Sequence, residues 1–129
     1  MKTLKESLQT LAGTAGGNGN LLYNVGPMAD GRMEQRQIKM LSEMGKWLTQ
    51  YGASIYGTRG GPYLPSKDIV ATRKGSKVFL HLLKTSATSI ALPNLPTKQR
   101  LSSVRYLNGP LLALQQDEFG INIPLTGKL

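Results

Sequence analysis

Gly17-Asn18-Gly19-Asn20-Leu21-Leu22-Tyr23-Asn24-Val25-Gly26-Pro27 is the stretch on which the reading of this chain turns. Leu21 to Val25 is a short apolar run closed by Gly26-Pro27, and such runs read as buried strands of the kind found in parallel sheets. The glycines stand ahead of the strand. A dinucleotide fingerprint runs strand, glycines, helix, and a P-loop ends in Gly-Lys-Ser/Thr at the start of a helix. Gly13 to Gly19 is therefore expected to be a tight helix-to-strand connection rather than a phosphate cradle.

Working outward, Leu4, Leu8 and Leu11 recur at i, i+4 and i+7, which predicts a helix over 4–12 that Gly13 can end. Downstream, Asp30-Gly31 is a turn pair. From Glu34 to Tyr51 the residues Ile38, Leu41, Met44 and Leu48, joined by Met40, Trp47 and Tyr51, lie on one broad helical face. Trp47 and the methionines at this spacing are expected to pack rather than to form a ligand platform. Glu34 complements the helix dipole near the start, and Gly52 is placed to cap the end. The order is helix, strand, helix.

Past Gly57 the pattern changes. Gly60-Gly61-Pro62 and Pro65 interrupt regular structure, and the domain boundary is expected near Tyr63. Ile69 to Arg73 and Lys77 to Lys84 flank the short loop Lys74-Gly75-Ser76 and suit a hairpin. Strand-like runs continue over 88–92, 101–107, 111–114 and 120–123, with Asn108-Gly109 as another hairpin turn. Frequent turns between short strands indicate an antiparallel sandwich or small barrel. No obvious closing strand follows Ile123, so an exposed sheet edge and self-association are expected.

The 129 residues, 40% hydrophobic, suffice for one ordinary domain or parts of two, not for a whole (β/α)8 barrel of roughly 250 residues. Fifteen glycines and seven prolines favour many short elements. A net charge of +9 invites a nucleic-acid reading. The basic residues, however, are spread singly from Lys2 to Lys128, with Arg73-Lys74 the one adjacent pair. No aromatic residues interleave with them, so no nucleic-acid partner is expected. The absence of cysteine excludes a disulfide framework, a thiolate metal site and a thiol nucleophile. No apolar run approaches the roughly 20 residues that span a bilayer, and Met1 to Gly13 lacks the apolar stretch of a signal peptide, so no membrane partner is expected.

The ordered elements Gly-Asn-Gly-Asn-Leu-Leu-Tyr-Asn-Val-Gly-Pro, Asp30-Gly31, Gly45-Lys46-Trp47-Leu48, Tyr51-Gly52 and Ile55-Tyr56-Gly57-Thr58-Arg59 resemble the end of the catalytic domain of family 29 α-L-fucosidases. The β-rich remainder is similar to the sandwich domain that follows the barrel in that family. The resemblance implies an α+β chain in which residues 1–62 are the last helix-strand-helix of a (β/α)8 barrel. Residues 63–129 would be an antiparallel β-sandwich domain short of its last strand. It implies a retaining exo-glycosidase that removes terminal α-L-fucose from glycans without a cofactor, in a periplasmic, extracellular or lysosomal setting. The C-terminal end of Leu21 to Val25 would face the active-site mouth, as in barrel enzymes generally, with Asn24 and Asp30 supporting the substrate site.

Hydrolysis of a glycoside ordinarily uses two carboxyl groups roughly 5 to 9.5 Å apart, and the chain has seven acidic residues. Glu6 and Glu43 read as solvated helix positions, Asp68 and Asp117-Glu118 as strand boundaries or turns, and Glu34 as a helix-start residue. Asp30 also suits a plain Asp-Gly turn. No catalytic pair is found, and the resemblance implies that nucleophile and acid/base belong to earlier barrel strands outside these 129 residues. His81, the single histidine, lies in an apolar run and is expected to be structural; no metal site is expected. The implied partners are a fucosylated glycan together with the missing barrel segment or a second copy. The alternative is a non-catalytic carbohydrate-binding or interaction module using Tyr63, Tyr106 and Phe119.

Overall fold

A computed structural model of the chain describes residues 2–83, 88–97 and 99–125. Two compact units, Met1–Leu83 and Lys84–Leu129, are each held by their own contacts.

The first unit opens with α1 (Leu4–Gly16). Its start is fixed by a Thr-x-x-Glu capping box: the Glu6 amide donates to Thr3 Oγ1 at 3.2 Å, and the Thr3 amide to Glu6 Oε2 at 2.7 Å. The helix runs past the expected stop at Gly13. The glycine turn satisfies its last carbonyls instead, Gly17 N donating to Gly13 O at 3.1 Å and Gly19 N to Thr14 O at 2.9 Å, with Asn18 left-handed at φ 58. α2 (Gln35–Tyr51) begins one residue after its expected start, with Glu34 as N-cap residue, and passes through Gly52 into a 3-10 turn, Gly52–Ser54. Trp47 and Tyr51, one turn apart, pack with ring centres 5.5 Å apart and planes tilted by 48°.

β1 (Arg59–Gly60), β2 (Ile69–Lys74) and β3 (Lys77–Leu82) form an antiparallel sheet in that order. The β2–β3 hairpin is the one expected from the sequence. Lys74 pairs with Lys77 across the two-residue turn Gly75-Ser76, and Gly75 takes the left-handed φ of 59 that such a turn requires. The core of this unit contains Ala12, Met44, Val70 and Ala71. Three polar residues, Ser7, Ser54 and Thr72, are buried with them and bonded: the Thr72 hydroxyl donates to Ser54 O at 2.6 Å, and His81 Nε2 lies 3.2 Å from Thr72 Oγ1. His81 is thus tied into the core as a structural residue.

The second unit has β4 (Ser89–Leu92), β5 (Val104–Arg105), β6 (Leu111–Leu112), β7 (Gln115–Asp117) and β8 (Gly120–Pro124). A three-stranded antiparallel sheet is ordered β4-β8-β7, and β5 pairs with β6 around Asn108-Gly109. Ile90, Ile121 and Ile123 are its buried apolar residues. The strand expected over 101–107 shrinks to Val104–Arg105. The Leu101 amide is engaged by Gln116 Oε1 at 2.8 Å, and Gln116 Nε2 also donates to Asn94 Oδ1 at 3.0 Å. Side-chain bonds from β7 therefore take the place of a ladder there. The expected run over 77–84 is β3 as far as Leu82, with residue 84 outside the described residues, and the run expected over 88–92 is β4 from Ser89 onward.

The buried strand expected over Leu21 to Val25 is not formed: the segment has no regular structure and pairs with no strand among the described residues. A parallel-sheet strand needs neighbours on both edges. Burial still alternates with the period of a strand: Leu21, Tyr23 and Val25 are half-buried, Leu22 and Asn24 exposed.

Candidate functional site

The stretch from Gly16 to Glu34 is held at its start by close backbone approach. A Cβ on Gly16 would collide with Val70 Cγ1, and one on Gly60 with Gly16 O. Asn18 Oδ1 accepts the Gly60 amide at 2.7 Å. The extended segment that follows is turned by Tyr23, whose hydroxyl lies 2.9 Å from Oγ of the fully buried Ser7 on α1. With Tyr23 committed to the helix side, Asn24 points away from it, sharing a face with Leu22, which is 82% exposed.

Beyond Val25 the chain folds into a hairpin-like loop closed by an antiparallel bridge between Pro27 and Met33. Met28 N donates to Arg32 O at 2.6 Å and Gly31 N to Met28 O at 2.9 Å, with Gly31 at φ 86. Asp30 folds back on Arg32: Oδ1 accepts the Arg32 amide at 3.1 Å and Oδ2 the guanidinium Nε at 2.7 Å. The Arg32 amide first, then its guanidinium, holds the Asp30 carboxyl below the usual carboxylate range. Asp30 is therefore an ionised carboxylate near neutral pH, the wrong state for a general acid. Glu34 accepts Arg36 Nε at 2.7 Å. Met28, Arg32, Met33, Glu34, Gln35 and Arg36 line an open depression of about 420 Å³.

Of the aromatic residues considered for sugar contact, Tyr63 and Tyr106 are half-buried, and burial raises the Tyr63 phenol above its ordinary pKa. Phe119 stands 87% exposed in the β7–β8 turn. Among the described residues no group of three or more histidines and carboxylates is arranged to hold a metal. Sequence reading did not foresee the Gly16–Gly60 approach, the Asn18 clasp or the Ser7–Tyr23 bond. The first two join residues some forty positions apart and leave no local signal.

The sequence model of the family described as "Alpha-L-fucosidase" matches residues 1–53. An α-L-fucosidase of Branchiostoma floridae is 41% identical over 56 residues, 43% of this chain and 12% of that protein. The likeness in structure reaches further. The Thermotoga maritima α-fucosidase solved in complex with fucose is 28% identical with a TM-score of 0.81, over 98% of this chain and 31% of that one. The α-L-fucosidase isoenzyme 1 of Paenibacillus thiaminolyticus is 29% identical with a TM-score of 0.84, over 99% and 32%.

The chain matches a piece of an α-L-fucosidase.

It spans about an eighth of the curated fucosidase it matches and about a third of the solved fucosidase chains. The expected α+β class, two helices with antiparallel sheets, is the class observed. The fucosidase likeness covers both the segment bearing Asn24 and Asp30 and the β-rich remainder.

Proposed function

We propose that this chain supplies the C-terminal part of an α-L-fucosidase, a retaining exo-glycosidase for terminal α-L-fucose on glycans. In this reading residues 1–62 end the catalytic barrel and residues 63–129 belong to a β-sandwich domain. The grouping of the β2–β3 hairpin with α1 is compatible with that boundary, because contact and domain origin are different properties. The observation that carries the reading is the outward-facing Asn24. It sits at the C-terminal end of a strand-like segment, the end at which barrel enzymes assemble their sites, within the stretch matched by the fucosidase family. Fucose bound to the Thermotoga maritima relative supports a fucosylated substrate.

Asn24 offers a donor and an acceptor to a sugar hydroxyl. Asp30, through Arg32, holds the loop that borders it. Neither supplies acid/base chemistry, so the nucleophile and the acid/base carboxyl come from a partner segment of barrel. The backbone of 21–25, which pairs with no strand among the described residues, the exposed Leu22, and Ile38 and Leu41 at 43% and 37% exposure on α2 are a surface suited to that segment.

The test is a chimera in which this chain replaces the matching third of the Thermotoga maritima enzyme. Hydrolysis of a chromogenic aryl α-L-fucoside is expected from the chimera and not from this chain alone. A chimera that melts cooperatively yet never turns over the fucoside would count against the assignment. The exposed Phe119 favours a second reading, a carbohydrate-binding module; that reading requires this chain alone to be retained on an immobilised fucosylated glycan.

A further inference from the structure

Basic residues that the sequence scatters are gathered by the first sheet. Arg59 stands opposite Arg73, and Lys74 opposite Lys77. All four are exposed. Directly opposed residues in an antiparallel pair lie about 5 Å apart at Cβ, where like charges destabilise the ladder. Arg73 and Lys74 are consecutive, so the Arg59–Arg73 pair, across β1 and β2, and the Lys74–Lys77 pair, which closes the Gly75-Ser76 turn, lie on opposite faces of the sheet. Lys74 Nζ comes 3.4 Å from the position a Cβ on Gly57 would take.

Among the described residues none of the four side chains makes a hydrogen bond or ion pair; the salt bridges there, Arg32–Asp30 and Arg36–Glu34, use other residues. Asp68 is the one acidic residue between Gly52 and Leu83. It precedes the opposite end of β2, and a strand of that length puts it roughly 20 Å from Lys74. The Debye length at physiological salt is only about 8 Å. No ion pair among the described residues therefore relieves the repulsion at this end of the sheet.

We infer that this end of the sheet binds an acidic glycan, a sugar chain bearing repeated sulfate or carboxylate groups. One small anion would neutralise one cation and leave the others opposed. A chain of anions long enough to pass around the turn end of the sheet meets the pair on each face and offsets the repulsion of the free state on binding, with counterion release adding to it. The preference for a glycan over other polyanions rests on the fucosidase reading above. Within the ladder the one aromatic ring, Phe79, is half-buried opposite Thr72; single-stranded nucleic acid, held on exposed rings, would have only Tyr56, 62% exposed beside Gly57, to stack on near this end.

Calorimetric titration of this chain with a heparin-derived octasaccharide tests the inference. Binding is expected that weakens steeply between about 50 and 200 mM NaCl. Arg73→Ser with Lys77→Ser should lower affinity about tenfold, whereas Lys39→Ser with Lys46→Ser on α2, an equal loss of charge, should lower it less than about twofold. Circular dichroism checks that both variants keep the fold. No binding, equal losses in the two double variants, or equally tight binding of a short DNA duplex through the same residues overturns the inference. The aryl fucoside of the chimera test is neutral, so a failure here leaves the fucosidase reading standing, and an inactive chimera leaves this binding measurable.

Discussion

The carbonyl oxygen of Gly16 occupies the space where a side chain on Gly60 would begin. Backbone meets backbone at this point, and neither side can move away without lifting α1 from β2. Gly60→Ala is therefore expected to destabilise the chain by about 2 kcal/mol or more, as overpacking against a fixed neighbour does. Gly13, in the same helix, has nothing within 4 Å of its would-be Cβ. Gly13→Ala should raise stability by roughly 0.5–1 kcal/mol through helix propensity. Urea midpoints moving in opposite directions would bear this out; a Gly60→Ala midpoint equal to the parent's would refute it.

Thr3 holds the α1 start through the reciprocal bonds with Glu6. Thr3→Ala should lower stability by about 1 kcal/mol, and Thr3→Ser should recover most of it. Amide exchange over residues 4–7 gives the readout, since fraying exposes the first turn before the rest.

His81 makes stability depend on pH. Burial lowers its pKa below the ordinary histidine value, with the bond to the Ser54 carbonyl acting weakly in the other direction. A folded pKa below the unfolded one means that the unfolded chain takes up the proton first. Stability is thus highest above the unfolded pKa of about 6.5 and falls as pH drops through it toward the folded value. Urea midpoints at pH 7.5 and pH 5 should differ less in His81→Gln than in the parent, and an unchanged difference would remove His81 as the cause.

Asn24 and Asp30 separate contact from positioning. In the chimera, Asn24→Ala is expected to lower kcat/KM about tenfold through loss of a sugar hydrogen bond. Asp30→Asn should act mainly through KM by loosening the Arg32 loop, leaving the acid limb of the pH profile in place because the Asp30 carboxylate is engaged by Arg32 and transfers no proton. Disappearance of that limb would make Asp30 a proton-transfer group.

How much of this was legible in the sequence follows from the range of the forces involved. α2 is written in a periodic apolar face, and the β2–β3 hairpin in two strand-like runs either side of the short loop Lys74-Gly75-Ser76, so both are readable locally. Leu21 to Val25 reads in sequence as a continuously apolar, buried strand, whereas among the described residues it pairs with no strand and exposes Leu22 and Asn24. β7 is Gln115-Gln116-Asp117, polar throughout; it exists because β8 offers an edge and Gln116 gathers the loop at 94–101, neither visible in a window of three residues. The basic hairpin end escaped notice for the same reason, since Arg59 reaches Arg73 only through strand register. Asn24 was singled out through resemblance, and its outward direction needed the Tyr23–Ser7 bond.

Asn18 and Gly60 also change what a cut in the chain would do. The polypeptide leaves that clasp, travels out through the exposed loop around Ala29, returns along α2 and arrives where it started. A protease nicking the loop would produce two pieces whose broken ends are far from the fastening, while α1 remains seated on β2. The nicked protein should elute intact from a sizing column and separate only in denaturant, so the break that matters for integrity is at the clasp and not at the loop.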